Sequence, residues 1–140
     1  MGAPINKGYA KMQDLTPNLR WLPFIAYVIL ISWLSLTPTP PQIENDFFGW
    51  DKVQHAGAYV VFTLLAGWAF GAFTLDLKRC WRLAVVAAVI FGGAMEIVQG
   101  AFTRTRTAEW GDLLADLVGA AGAYALIMII NRWLPPFKKR

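Results

Sequence analysis

The sequence predicts an all-α integral membrane protein, a four-helix bundle with both termini in the cytoplasm. Three observations lead there. The 140 residues are 56% hydrophobic and only 16% charged, a balance outside that of ordinary soluble domains. The apolar residues fall into four long blocks separated by proline, acid or base. The basic residues collect at the two chain ends and in one connection, as they do on the cytoplasmic face of a membrane protein. That placement assigns the net charge of +4 to membrane orientation, and no nucleic-acid partner is expected. The single cysteine, Cys80, excludes an intramolecular disulfide and forms no metal-type cysteine pattern.

Residues 1–20 are polar and carry Pro4 and Pro17, so they read as a cytoplasmic tail ahead of a membrane domain over 21–133. Trp21 to Leu36 is the first span, with Trp21 and Trp33 as interfacial anchors and Pro23 in the first turn, where proline is tolerated. It is short against the roughly 20 residues of a full crossing. The following Thr37-Pro38-Thr39-Pro40-Pro41 lacks a small-x-small cleavage pattern, so the segment is expected to be retained as a span rather than removed as a signal peptide. An acidic, proline-rich loop (Glu44, Asp46, Asp51) leads to the second span, Lys52 to Leu75. Asp76 to Arg82 is expected to form a tight basic loop, Leu83 to Phe102 the third span, Thr103 to Gly111 a loop, and Asp112 to Trp133 the fourth span. Residues 134–140, ending Lys138-Lys139-Arg140, form a basic cytoplasmic tail.

The topology gathers the polar residues. Lys7, Lys11, Arg20, Lys78, Arg79, Arg82, Arg132, Lys138, Lys139 and Arg140 all belong to the tails, the 76–82 connection and the C-terminal end. Four crossings keep these on one side, whereas three would strand one basic end. The second span then begins, the third ends and the fourth begins at the opposite, outer surface. Asp51, Lys52, His55, Glu96, Gln99, Arg104, Arg106, Glu109, Asp112 and Asp116 are thereby expected in the outer leaflet or outer loops.

Helical spacing refines this. Lys52, His55 and Tyr59 stand at i, i+3 and i+7, with Asp51 one turn before His55, so they share a stripe of the second span. Glu96 and Gln99 share a face of the third, and Asp112 and Asp116 a face of the fourth. Gly111, Ala115, Gly119, Gly122 and Ala123 are expected to let neighbouring helices approach closely. A carboxylate at membrane depth costs several kcal/mol unless paired or protonated, which singles out Glu96, about six residues from the end of its span.

Each residue also has a plain structural reading. Asp51 and Asp112 precede helical segments as N-caps do, Lys52 suits a snorkelling lysine, His55 a hydrogen-bonded core residue, and Glu96 a salt bridge to Arg104, Arg106 or Lys52. The chemical readings differ in specificity. No H-x-x-x-H or H-x-x-E pair accompanies the one histidine, so neither a metal nor another cofactor is expected. Thr103, Thr105 and Thr107 show no mark of activation as nucleophiles. His55 with Glu96 or Asp116 would serve as acid and base, and Arg104, Arg106 and Lys52 would suit a phosphate or carboxylate.

The D-K-x-x-H-x-x-x-Y opening (Asp51, Lys52, His55, Tyr59), the E-x-x-Q of Glu96 and Gln99, the arginine loop and the D-x-x-x-D-x-x-G of Asp112, Asp116 and Gly119 together resemble the VanZ-like family. These are small bacterial membrane proteins related to a teicoplanin-resistance factor. The resemblance covers roughly residues 20–131 and implies a cell-envelope role, with Arg104 or Arg106 at the family's arginine position and a site position, here Asp116, that is often asparagine. The resulting expectation is a bacterial inner-membrane protein with an outward-facing polar pocket. Its expected partner is an amphiphilic or anionic ligand such as a membrane lipid or lipid-linked envelope precursor, and glycopeptide (teicoplanin) resistance is the implied phenotype. Two alternatives stand beside it: an enzyme acting on a lipid-linked phosphate head group with His55 and Glu96 as catalytic pair, and a structural or partner membrane subunit.

Overall fold

The structure, a computed structural model, describes residues 19–37, 51–73, 76–103 and 109–133. Among these, four α-helices account for the fold: α1 (Trp21–Leu36), α2 (Asp51–Phe70), α3 (Leu77–Phe102) and α4 (Trp110–Trp133). Helices α2, α3 and α4 are long and apolar enough to cross a membrane. The 16 residues of α1 span about 24 Å at 1.5 Å per residue, short of the hydrocarbon thickness of roughly 30 Å.

Two boundaries differ from the sequence expectation for identifiable reasons. The segment 76–82 is not a loop: Asp76 caps α3 by accepting the backbone N–H of Arg79 at 3.1 Å, so the helix starts at Leu77 and exposes Lys78, Arg79 and Arg82 from its first turns. A side-chain acceptor supplies the partner that a first-turn N–H otherwise lacks. At the other end of the same connection α2 stops at Phe70, because the chain tightens into i→i+3 bonds from Ala72 N–H to Ala69 C=O and from Phe73 N–H to Phe70 C=O. The first helix coincides with its expected bounds, and α4 begins two residues before Asp112, at Trp110.

Helix α2 is the hub. It packs most extensively on α4, then on α3, and is the main support of α1. Trp21 of α1 meets Phe70 and Phe73 at the end of α2, while Gln99 late in α3 reaches Ser35 late in α1. Sequential helices therefore run in opposite directions, and α1 and α3 share one direction. The core is aromatic toward α1 and small elsewhere. Phe24 packs edge-on against Phe62 with centroids 5.2 Å apart, and Phe62 stacks on Phe91 at 5.1 Å. Ala66, Ala69, Ala84, Ala88 and Ala120 are fully buried. The outer faces are apolar as well, with Ile29, Ile90, Val118 and Ile129 exposed, which suits helices surrounded by lipid.

Small residues set the helix separations. A Cβ at Gly119 would run into the Ala56 carbonyl of α2, and one at Gly67 into the Trp81 ring. Of the small stripe expected on α4, Gly119 and Ala123 are buried and Gly111 and Ala115 half-buried, whereas Gly122 is exposed with nothing within 4 Å of its Cβ position. Its place, three residues from Gly119, turns it away from α2. Gly119→Ala should accordingly cost about 1–3 kcal/mol through overpacking against backbone, while Gly122→Ala should match or exceed the parent chain. Thermal unfolding of the two variants in detergent checks the contrast.

Candidate functional site

The polar residues occupy the end of the bundle where α2 and α4 begin and α1 and α3 finish. Two helix N-termini lie together there, and their partial positive charge favours carboxylates such as Asp51 and Asp112 in the first turns. The α2 stripe of Asp51, Lys52, His55 and Tyr59 faces the α4 pair Asp112 and Asp116, as the helical spacing requires.

Lys52 Nζ is surrounded by acid. It binds Asp112 Oδ1 and Glu109 Oε2, the latter at 2.8 Å, and lies 3.7 Å from Asp51 Oδ2. Its charge is thus engaged within the protein, as a structural ion pair rather than a cation held free for a ligand. His55 sits one turn further in. Its Nδ1 lies 3.0 Å from Oδ1 of Asp116, and its Nε2 lies 3.8 Å from Asp112 Oδ2 and 4.0 Å from Asp51 Oδ1. Asp51 and Asp112 therefore each present one oxygen to Lys52 and the other to His55.

Asp116 is the deepest charged group, 2% exposed. Besides His55 it takes a side-chain hydrogen bond from Tyr59. Gly92 of α3 closes over this pair: a Cβ there would come within 2.7 Å of Asp116 Oδ2 and 3.2 Å of the Tyr59 hydroxyl. With a carboxylate as acceptor, Nδ1 carries the proton and the neutral ring keeps its lone pair on Nε2. A buried acid that fixes one nitrogen and leaves the other directed at open chemistry is a common arrangement for general bases and for metal ligands.

Helix α3 contributes differently from expectation. Glu96, 7% exposed, accepts the Glu109 backbone N–H through Oε2 at 2.8 Å, so it secures the start of α4 rather than pairing with Lys52. Gln99 does not join the cluster: its Nε2 donates to the Ser35 carbonyl of α1 at 2.9 Å. An offset of three residues turns its side chain about 60° from that of Glu96, enough to face a different neighbour. Glu109 and Gly92 are functional-site residues that the spacing analysis passed over. The Glu109 signal was weak, an acid three residues before Asp112, and Gly92 was visible only as half of a Gly-Gly pair. Arg104 and Arg106 lie outside the described residues.

Among the described residues, two features can accept a ligand. Between α3 and α4 a groove of about 290 Å3 is lined by Gly93, Glu96, Ile97, Glu109, Trp110 and Leu113, an apolar channel with two carboxylates in its walls. On the other side of Asp112, one atom each from Asp51, His55 and Asp112 lie within 4.8 Å of one another, a spacing that can hold a metal ion. The expectation of no metal rested on local spacing, and these three groups come from two helices about 60 positions apart.

No family model matches the chain, and no solved structure does. The chain is similar to an uncharacterized protein of Schizosaccharomyces pombe, 30% identical over 110 residues that cover 78% of this chain and 62% of that protein. The match therefore spans less than two thirds of the relative's length.

The buried network makes a stability prediction. Asp116→Ala leaves the His55 N–H and the Tyr59 hydroxyl without their acceptor and should cost about 3 kcal/mol. Asp116→Asn, which keeps an acceptor oxygen, should cost about 1 kcal/mol. Chemical unfolding followed by tryptophan fluorescence distinguishes these values.

Proposed function

We propose that this chain is a polytopic membrane protein that takes an amphiphile from the surrounding bilayer into the α3–α4 groove, with the head group at the acidic end of the bundle. The observation that carries this reading is the composition of the groove wall. Ile97, Trp110 and Leu113 offer an apolar bed, and Glu96 and Glu109 are among the residues that line it. Small-molecule sites combine these ingredients, a largely apolar surface with a few convergent polar groups.

The described part of the site favours a head group rich in hydrogen-bond donors, such as hydroxyls or an amine. Among the described residues, the five carboxylates of Asp51, Glu96, Glu109, Asp112 and Asp116 are accompanied by two basic side chains, Lys52 and His55, and Lys52 is engaged by three of them. An anionic head group would draw its support from Arg104 and Arg106. The positions of the basic residues favour a polar end that faces away from the cytoplasm, and a bacterial inner membrane follows only from the resemblance to the VanZ-like family. The resemblance of the three spaced motifs to the VanZ-like family is what favours a lipid-linked envelope precursor as ligand and glycopeptide resistance as a phenotype. A second reading, an enzyme acting on a lipid-linked phosphate, draws on the Asp116–His55 bond, which orients a general base.

Gly93 gives a clean test. Nothing lies within 4 Å of its Cβ position, so Gly93→Leu fills the groove without disturbing a neighbour. Photo-crosslinking with a diazirine-bearing lipid in reconstituted vesicles should label the parent chain at α3 and α4. Labelling should fall at least fivefold in Gly93→Leu at unchanged thermal stability. Equal labelling of both proteins would remove the groove from consideration.

A further inference from the structure

We propose that Asp51, His55 and Asp112 form a binding site for one Zn2+ ion at the polar end of the bundle, with Asp116 and Lys52 as its positioning residues. This goes beyond the amphiphile reading and does not rest on it. The ligand atoms are His55 Nε2, Asp112 Oδ2 and Asp51 Oδ1, with the nitrogen 3.8 Å and 4.0 Å from the two oxygens. Ligands on one tetrahedral zinc stand about 3.4 Å apart for bonds of about 2.1 Å. The three atoms all lie within 4.8 Å of one another, so closing the set around an ion brings each pair together by between about 0.4 and 1.4 Å through side-chain movement near the start of two helices.

Three independent features prepare these atoms. The first is the other face of the imidazole: Asp116, buried at 2% exposure, holds Nδ1 at 3.0 Å. Histidines that bind metal almost always give their second ring nitrogen to such a carboxylate, which fixes the tautomer and raises ligand basicity. The second is the division of the carboxylates. Lys52 takes Asp112 Oδ1 and approaches Asp51 Oδ2, so it orients both acids through the oxygens the ion would not use. The third is charge. Asp51, Glu109 and Asp112 surround the one ammonium of Lys52, leaving an excess of about two negative charges at the site that a divalent cation would offset.

The ligand chemistry selects the metal. One imidazole nitrogen with two carboxylate oxygens suits a borderline ion such as Zn2+ better than Mg2+ or Ca2+, which prefer all-oxygen shells of six or more. Three protein ligands leave a fourth position for water or for a ligand atom. Entry is from the bundle end, where the Asp51 side chain is 57% exposed and those of His55 and Asp112 are 15% and 10% exposed.

The test uses full-length protein in detergent, stripped with chelator and titrated with ZnCl2 by calorimetry, with thermal unfolding in parallel. One saturable site per chain and a higher melting temperature are expected. Asp51→Asn, at an exposed position, should abolish saturable binding. Asp116→Asn should weaken it about 10–100-fold, the range for loss of a carboxylate behind a ligand histidine. Gly93→Leu, which alters only the groove, should bind zinc as the parent does. The Co2+ form of the unsubstituted chain should show visible ligand-field bands without thiolate charge transfer, which separates this site from Cys80 and needs no variant to fold. Absence of saturable binding, unchanged affinity in Asp51→Asn, a thiolate band, or tighter binding of Mg2+ or Ca2+ than of Zn2+ would each overturn the proposal.

Discussion

A carboxylate cannot be left bare among apolar helices, and the polar end of this bundle is shaped by that requirement. Asp116, the most deeply buried charged group, is accepted there because His55 and Tyr59 both donate to it. Satisfying it dictates much else. His55 and Tyr59 must share a face of α2, α4 must start close enough to present Asp116 to both, and α3 must lack a side chain at Gly92. Removing one partner would strand the others in a medium where an unpaired polar group costs far more than in water.

The same logic extends outward in layers. Beyond Asp116 and His55 lie Asp51 and Asp112, and beyond them Lys52 with Glu109. Asp51, Asp112 and Asp116 each have two partners, so the cluster links α2 to α4 alongside the alanine and glycine packing beneath it. Glu96 and Gln99 add ties of another type. One holds the backbone at the start of α4 and the other a carbonyl at the end of α1, so both buried polar residues late in α3 secure the ends of neighbouring helices. Scaffold and site are thus built from the same side chains, and the proposed ligand chemistry uses positions the fold already holds still.

The division between the two ends has a functional consequence. Toward the other end the core is aromatic and aliphatic, with Phe24, Phe62 and Phe91 in contact and no buried charge among the described residues. A relay of protons or ions across the bundle would need polar steps there. Among the described residues the buried carboxylates lie at one end, where the proposed amphiphile or cation would be reached without crossing the apolar half.

Much of this was legible in the sequence for physical reasons. Long blocks of apolar residues determine the four helices. The periodicity of 3.6 residues put Asp51, Lys52, His55 and Tyr59 on one stripe and Asp112 with Asp116 on another, as found. What the sequence could not decide was partnership, because a contact between helices depends on their rotation and separation. Only the packed bundle shows that Lys52 belongs to Asp112 and Glu109, that Gln99 turns to Ser35, and that Asp51 and Asp112 divide their oxygens between a lysine and a histidine. Those choices follow from how closely Gly119 and Gly92 let the backbones approach, a distance that local spacing does not encode.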